Sequence, residues 1–203
     1  MLMSSTNNRF SQEDRVLLLD VARRSIEHGL MYQAPLTVNP VDYPEALRPQ
    51  RATFITLEID GHLRGCIGTL EARSPLVQDV AEHAFAAAFE DPRFLPLRTE
   101  EFPHLDIHLS ILSPPEPIEF SSEDDLLARL RPRVDGLIIR FGQRRATFLP
   151  SVWESLSEPY VFLAQLKQKA GLPLDFWSPE LRAERYTTES FGDADVAPSQ
   201  DEL

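Results

Sequence analysis

The chain has 203 residues, of which 20 are basic and 32 acidic, giving a formal net charge of −12 at neutral pH. With 42% apolar and 26% charged residues it has the composition of a globular protein, and no apolar run approaches the ~20 residues needed to cross a bilayer. The negative balance repels phosphate backbones and anionic lipid, so neither nucleic acid nor a membrane is an expected partner. One cysteine, Cys66, cannot close an internal disulfide, and the first eight residues carry no apolar signal core; both features point to a cytoplasmic protein.

Residues 1–10 are expected to be a flexible N-terminus. Ser11, with Asp14 three residues on, is read as the cap of a first helix whose stripe is Val16, Leu19, Ala22 and Ile26, stopped by Gly29. A proline-rich connection follows. Residues 52–70 then read as a β-hairpin around Asp60-Gly61, a two-residue turn signal. Ser74 and Pro75 open a second helix that ends at Asp91-Pro92. Leu105, Ile107, Leu109 and Ile111 alternate with Asp106, His108 and Ser110 as a half-buried strand. Ser122 caps a short helix, a second hairpin spans 137–149, and Pro159–Ala170 is a last helix with Gly171 as its stop. After Arg185 the acids Glu189, Asp193 and Asp195 meet no base, so 187–203 is expected to be a flexible acidic tail. Strands that arrive as hairpins predict an α+β fold, a mixed or antiparallel sheet with flanking helices.

The stretch Leu63-Arg64-Gly65-Cys66-Ile67-Gly68 carries the chemistry. Glycines inside a strand lose packing and are kept where the strand bulges or where a backbone or ligand comes close. In an unbroken strand Arg64 and Cys66 point to one face, Cα atoms ~6.7 Å apart. A guanidinium beside a thiol favours the thiolate, so this pair is a candidate nucleophile with its activating cation, against the alternative of a small buried hydrophobe. His62 shares that face but lies ~13 Å away along the strand, too far for a general base. His83 is a candidate base only by its place in the sequence. His104, Asp106 and His108 alternate as metal ligands would, but equally as a solvated strand face; no metal or cofactor is expected. Arg129, Arg131, Arg133, Arg140, Arg144 and Arg145 form a local basic cluster, read first as a solvated hairpin. Asp91-Pro92-Arg93-Phe94 predicts a turn in which Asp91 holds Arg93 or caps a backbone group.

The segment Leu63-Arg-Gly-Cys-Ile-Gly-Thr69 resembles the hallmark of the AMMECR family, the A component of the AmmeMemoRadiSam system. The resemblance extends through Phe54-Ile-Thr-Leu57, Asp91-Pro-Arg-Phe94, Leu109-Ser-Ile-Leu-Ser-Pro-Pro115, Asp135-Gly-Leu-Ile138, Phe148-Leu-Pro150 and Lys169-Ala-Gly-Leu172, over roughly residues 10–186. Leu149-Pro-Ser-Val152 and Phe191-Gly192-Asp193 depart from the family's usual segments. The resemblance implies two unequal subdomains with a cleft between them inside one domain, 11–186, and a cytoplasmic protein whose companions are a Memo-like protein and a radical S-adenosylmethionine enzyme. It implies no particular reaction. The candidate catalytic residues are therefore Cys66 and Arg64, with Gly65, Gly68, Thr69, Asp91 and Arg93 as candidate binding residues for a small anionic ligand. The other expectation is a non-catalytic adaptor whose motif shapes a docking groove.

Overall fold

The computed structural model describes residues 10–196. They form an α+β fold with two four-stranded sheets, and the chain divides into two compact units, Ser113–Thr188 and the residues flanking it. Among the described residues no helix is long and apolar enough to cross a membrane.

In the first unit, α1 (Gln12–Tyr32) starts at Ser11 through a full capping box with Asp14. The helix does not stop at Gly29 but three residues later, where Gln33 takes a left-handed conformation (φ 56°) and donates its N–H to the Gly29 carbonyl at 2.9 Å. Gly29 instead provides a smooth surface: a Cβ there would lie 2.4 Å from the Phe89 ring. Val16, expected in the stripe, is 45% exposed; the buried face runs through Leu18, Val21, Ala22, Ser25 and Ile26. The strands β1 (Thr53–Ile59) and β2 (His62–Gly68) form the expected hairpin, with Asp60 and Gly61 both at positive φ (51° and 72°), as a type I′ turn requires. Helix α2 (Leu76–Phe89) begins just after Pro75. It packs beside α1 so that Ser25 Oγ donates to the Ala81 carbonyl at 2.6 Å while Gly29 meets Phe85 and Phe89. Contacts rise together along both helices, so the two run parallel.

β3 (Leu105–Leu112) pairs antiparallel with β1, and β8 (Thr188–Gly192) completes the order β2-β1-β3-β8. Ile55, Leu57, Ile107 and Leu109 face the two helices and form the core with them. The other face carries Phe54, Thr56, Glu58, Asp106, His108 and Ser110, all half-buried. The expected acidic tail is corrected here. Ser190 pairs with Ser110 through their hydroxyls at 2.8 Å, Glu189 bridges to Arg15 at 2.7 Å, and Asp193 to Arg23 at 2.6 Å. Asp193 also accepts the Ile107 N–H, and a short helix α5 (Asp193–Val196) follows. The acids that lack neighbouring bases in sequence find them on α1. Phe10 is likewise buried in this core. Residues 1–9 and 197–203, the rest of the two expected flexible ends, lie outside the described residues.

The second unit holds β4 (Glu116–Ile118), α3 (Glu123–Arg129), β5 (Gly136–Phe141), β6 (Arg144–Phe148), α4 (Pro159–Lys169) and β7 (Arg182–Tyr186), with strand order β4-β7-β5-β6. Trp153 stacks on Phe162 with centroids 3.7 Å apart and donates its indole N–H to the Asp135 carbonyl. The basic cluster separates into individual contacts: Arg129 with Asp125, Arg131 with buried Asp135, Arg140 with Glu184, and Arg144 with the Gly171 carbonyl.

Candidate functional site

The hairpin register determines where Cys66 points. Leaving the tight turn, Ile59 faces His62 and Glu58 faces Leu63. Continued evenly, that register would set Cys66 opposite the fully buried Ile55. Instead Leu57 faces Gly65 and Thr56 faces Cys66, so Arg64 is the extra residue of a bulge. The slip by one residue reverses every later side chain of β2. Gly65 turns inward and Cys66 comes to the half-buried face. Gly65 is where a second backbone closes in: a Cβ built there lies 2.0 Å from the Ala87 carbonyl oxygen of α2.

β2 is an edge strand, and its free edge is closed at Cys66. The Cys66 N–H donates to Asp91 Oδ2 at 2.8 Å, and Arg93 Nη2 donates to the Cys66 carbonyl at 3.2 Å. Together the two side chains do what a neighbouring strand would do. Arg93 also grips Asp91 through Nε (2.9 Å) and Nη2 (2.6 Å). Its guanidinium holds the buried Asp91 carboxyl well below the usual carboxylate range, and the amides of Cys66 and Arg93 add to that. Arg93 is held more firmly charged than usual, chiefly by Asp91 and, to a smaller extent, by the Cys66 side chain next to it. On the sheet face, the Thr56 hydroxyl donates to Cys66 Sγ at 3.3 Å, and the cysteine is partly exposed.

Arg64 is placed otherwise than an unbroken strand predicts. Its Nε and Nη2 clasp the Glu101 carboxylate at 3.0 and 3.1 Å, and Nη2 also meets the Leu95 carbonyl. The cation that touches Cys66 is Arg93. Glu101 is drawn down from 4.5 to about 2, first by Arg64 and then by the Arg98 N–H. A carboxylate depressed in the fold contributes stability in full above its unfolded pKa and loses it as pH falls through the folded value. Thermal midpoints of the native protein and a Glu101→Gln variant are therefore expected to differ at about pH 6 and to converge as pH falls from 4.5 towards 2. A gap that stays constant across that range would contradict the pairing.

The histidines do not gather at the thiol. His62 is exposed and bonds the Asp60 carbonyl. His83 lies on the helix side of the sheet, its Nδ1 3.0 Å from buried Asp79 and 3.2 Å from Thr53 Oγ1. His104 falls in a 3-10 turn before β3, so it does not share a strand face with Asp106 and His108. His108 is opposite Thr56, but its Nε2 lies near Asp106 (3.4 Å) and Glu58 (3.8 Å). Among the described residues no group of three or more His, Cys, Asp or Glu is arranged to hold a metal ion.

The remaining candidate binding residues have local work. Gly68 leaves space for the Thr53 carbonyl and the Phe54 ring, and the Thr69 hydroxyl accepts the Glu71 N–H in a tight turn. Sequence reasoning did not identify Thr56 or Glu101. Thr56 is legible once the bulge is known; Glu101 has no signal, because it reaches Arg64 across 37 residues of sequence.

Comparison with known proteins follows the same outline. The AMMECR1 family profile matches residues 19–191. A protein of Methanothermobacter thermautotrophicus is 40% identical over 185 residues, covering 89% of this chain and 95% of its own. One from Thermotoga maritima is 39% identical over 151 residues, covering 73% and 82%. The crystal structure of the uncharacterised protein PH0010 from Pyrococcus horikoshii superposes with a TM-score of 0.75 at 33% identity, covering 91% of this chain and 93% of that one. The fold, the bulged Leu63–Thr69 hairpin strand and these relatives together place the chain in the AMMECR1 family.

Proposed function

We propose that the protein is a cytoplasmic component of an enzyme system, in which Cys66 meets a small anionic substrate on the half-buried face of the first sheet. The observation that carries this reading is the bulge at Arg64, which turns the thiol away from the core on a residue whose carbonyl Arg93 holds at 3.2 Å. Thr56 steadies the sulfur by donating its hydroxyl to it, and Asp91 and Arg93 fix the cysteine backbone from the strand edge. Arg93 is half exposed, so its cation attracts an anion without leaving Asp91. Among the described residues no histidine hydrogen-bonds the sulfur, whose partner is the Thr56 hydroxyl, so the thiol proton leaves to water or to the substrate. Arg64 acts as a positioning residue: through Glu101 it anchors the bulge to the loop after α2.

The companions proposed from the resemblance are a Memo-like protein and a radical S-adenosylmethionine enzyme, and they provide the test. In an anaerobic mixture of the three purified proteins with dithionite as the electron donor, cleavage of S-adenosylmethionine to methionine and 5′-deoxyadenosine is expected to depend on this chain and to fall at least about tenfold with a folded Cys66→Ser variant. Cleavage indifferent to the chain contradicts the reading. Cleavage that needs the chain but tolerates Cys66→Ser favours the adaptor, a second reading supported by the hydrogen bonds that Asp91 and Arg93 make to the motif's backbone at 2.8 and 3.2 Å.

A further inference from the structure

A cavity of about 560 Å³ lies in the first unit, apart from Cys66, where α1 and α2 end. Its size is within the range roughly 300–1,000 Å³ of small-molecule sites. Phe85, Phe89, Leu30 and Leu97 supply its apolar lining, and Arg98 and Glu100 stand among its polar residues. The two rings lie 5.0 Å apart, and the missing side chain at Gly29 lets both rest directly on α1.

The electrostatics of the cavity have a definite sign. Because α1 and α2 run parallel, both present their carboxyl ends here, each equivalent to roughly half a negative charge. Neither helix has a basic residue in its last turn. Arg98 and Glu100 cancel formally, and Arg98 is 74% exposed and lies 3.5 Å from Glu101. What remains is the negative helix ends together with two aromatic rings, and aromatic faces attract cations.

We propose that this cavity binds a small organic cation of the alkylammonium class, its charge held by the helix carboxyl ends and Glu100 and its methyl or methylene groups by Phe85 and Phe89. A neutral molecule of the same shape gains the apolar contact but neither electrostatic contribution.

The test uses choline, its neutral isostere 3,3-dimethylbutan-1-ol and the anionic isostere 3,3-dimethylbutanoate, each titrated into the ¹⁵N-labelled full chain. Choline is expected to shift the amides of Gly29, Leu30 and Thr99 saturably below about 50 mM, and to bind about fivefold or more tighter than the alcohol. Glu100→Gln is expected to weaken choline binding severalfold and Arg98→Gln to strengthen it, both on an unchanged fold. Phe89→Leu, which keeps apolar volume, is expected to erase most of the preference for choline over the alcohol. Equal binding of the neutral or anionic isostere, shifts confined to other amides, or no saturation in that range would overturn the proposal.

Discussion

Replacing Gly65 with alanine is expected to destabilise the protein by more than about 3 kcal/mol, enough to leave little folded material. The added methyl would stand 2.0 Å from the Ala87 carbonyl oxygen and 3.0 Å from its carbon. Both are backbone atoms of α2, so relief requires moving a helix off the sheet rather than turning a side chain. Gly61 is the control. It sits at φ 72° with nothing within 4 Å of a built Cβ, so Gly61→Ala carries only the conformational penalty of about 1 kcal/mol. Urea denaturation of the two variants measures the difference. Equal losses would mean that β2 and α2 are not packed backbone to backbone.

In the second unit, Glu123→Ala is expected to cost about 3 kcal/mol and Lys167→Met clearly less. The Lys167 side chain is completely buried, with its ammonium 2.5 Å from Glu123 Oε2, while Glu123 keeps 22% of its surface. Removing the carboxylate leaves a charge in the core without a counter-charge. Removing the lysine leaves a carboxylate that can turn to water, and methionine refills the apolar stem's volume. Thermal or urea unfolding checks the order. Lys167→Met costing as much as Glu123→Ala would contradict the assignment of the penalty to the buried ammonium.

The parts of this fold that were legible in sequence are those specified locally. The Asp60-Gly61 turn, the Ser11 cap and the alternation of β3 each occupy a few consecutive residues and appear in the structure as expected. The end of α1 did not, because Gly29 satisfies a packing demand from Phe85 and Phe89 rather than a capping one. β7 escaped notice because only Ala183 and Tyr186 of its five residues are buried, leaving no apolar pattern. β8 escaped because Glu189 within it and Asp193 just after it are neutralised by α1, more than 160 residues away in sequence. At the candidate site, the glycines marked a bulge or a close approach, and Gly65 adjoins the first and makes the second. The direction of the error is instructive: even alternation aligns Arg64 with Cys66 but registers the cysteine against Ile55, whereas the bulge separates the pair and brings Cys66 outward. The turn expected at Asp91–Phe94 was right in both of its alternatives, since Asp91 holds Arg93 and also accepts a backbone N–H.

The placement of Cys66 is tested most directly by its alkylation in the native protein with two reagents of similar size, neutral iodoacetamide and anionic iodoacetate. An outward thiol beside Arg93 is expected to react with both without unfolding, and to favour iodoacetate about threefold or more relative to glutathione. Arg93→Lys, which keeps the charge, should retain that preference and Arg93→Gln should lose it. A sulfur that reacts only after denaturation, or a preference no different from glutathione's, would contradict the account.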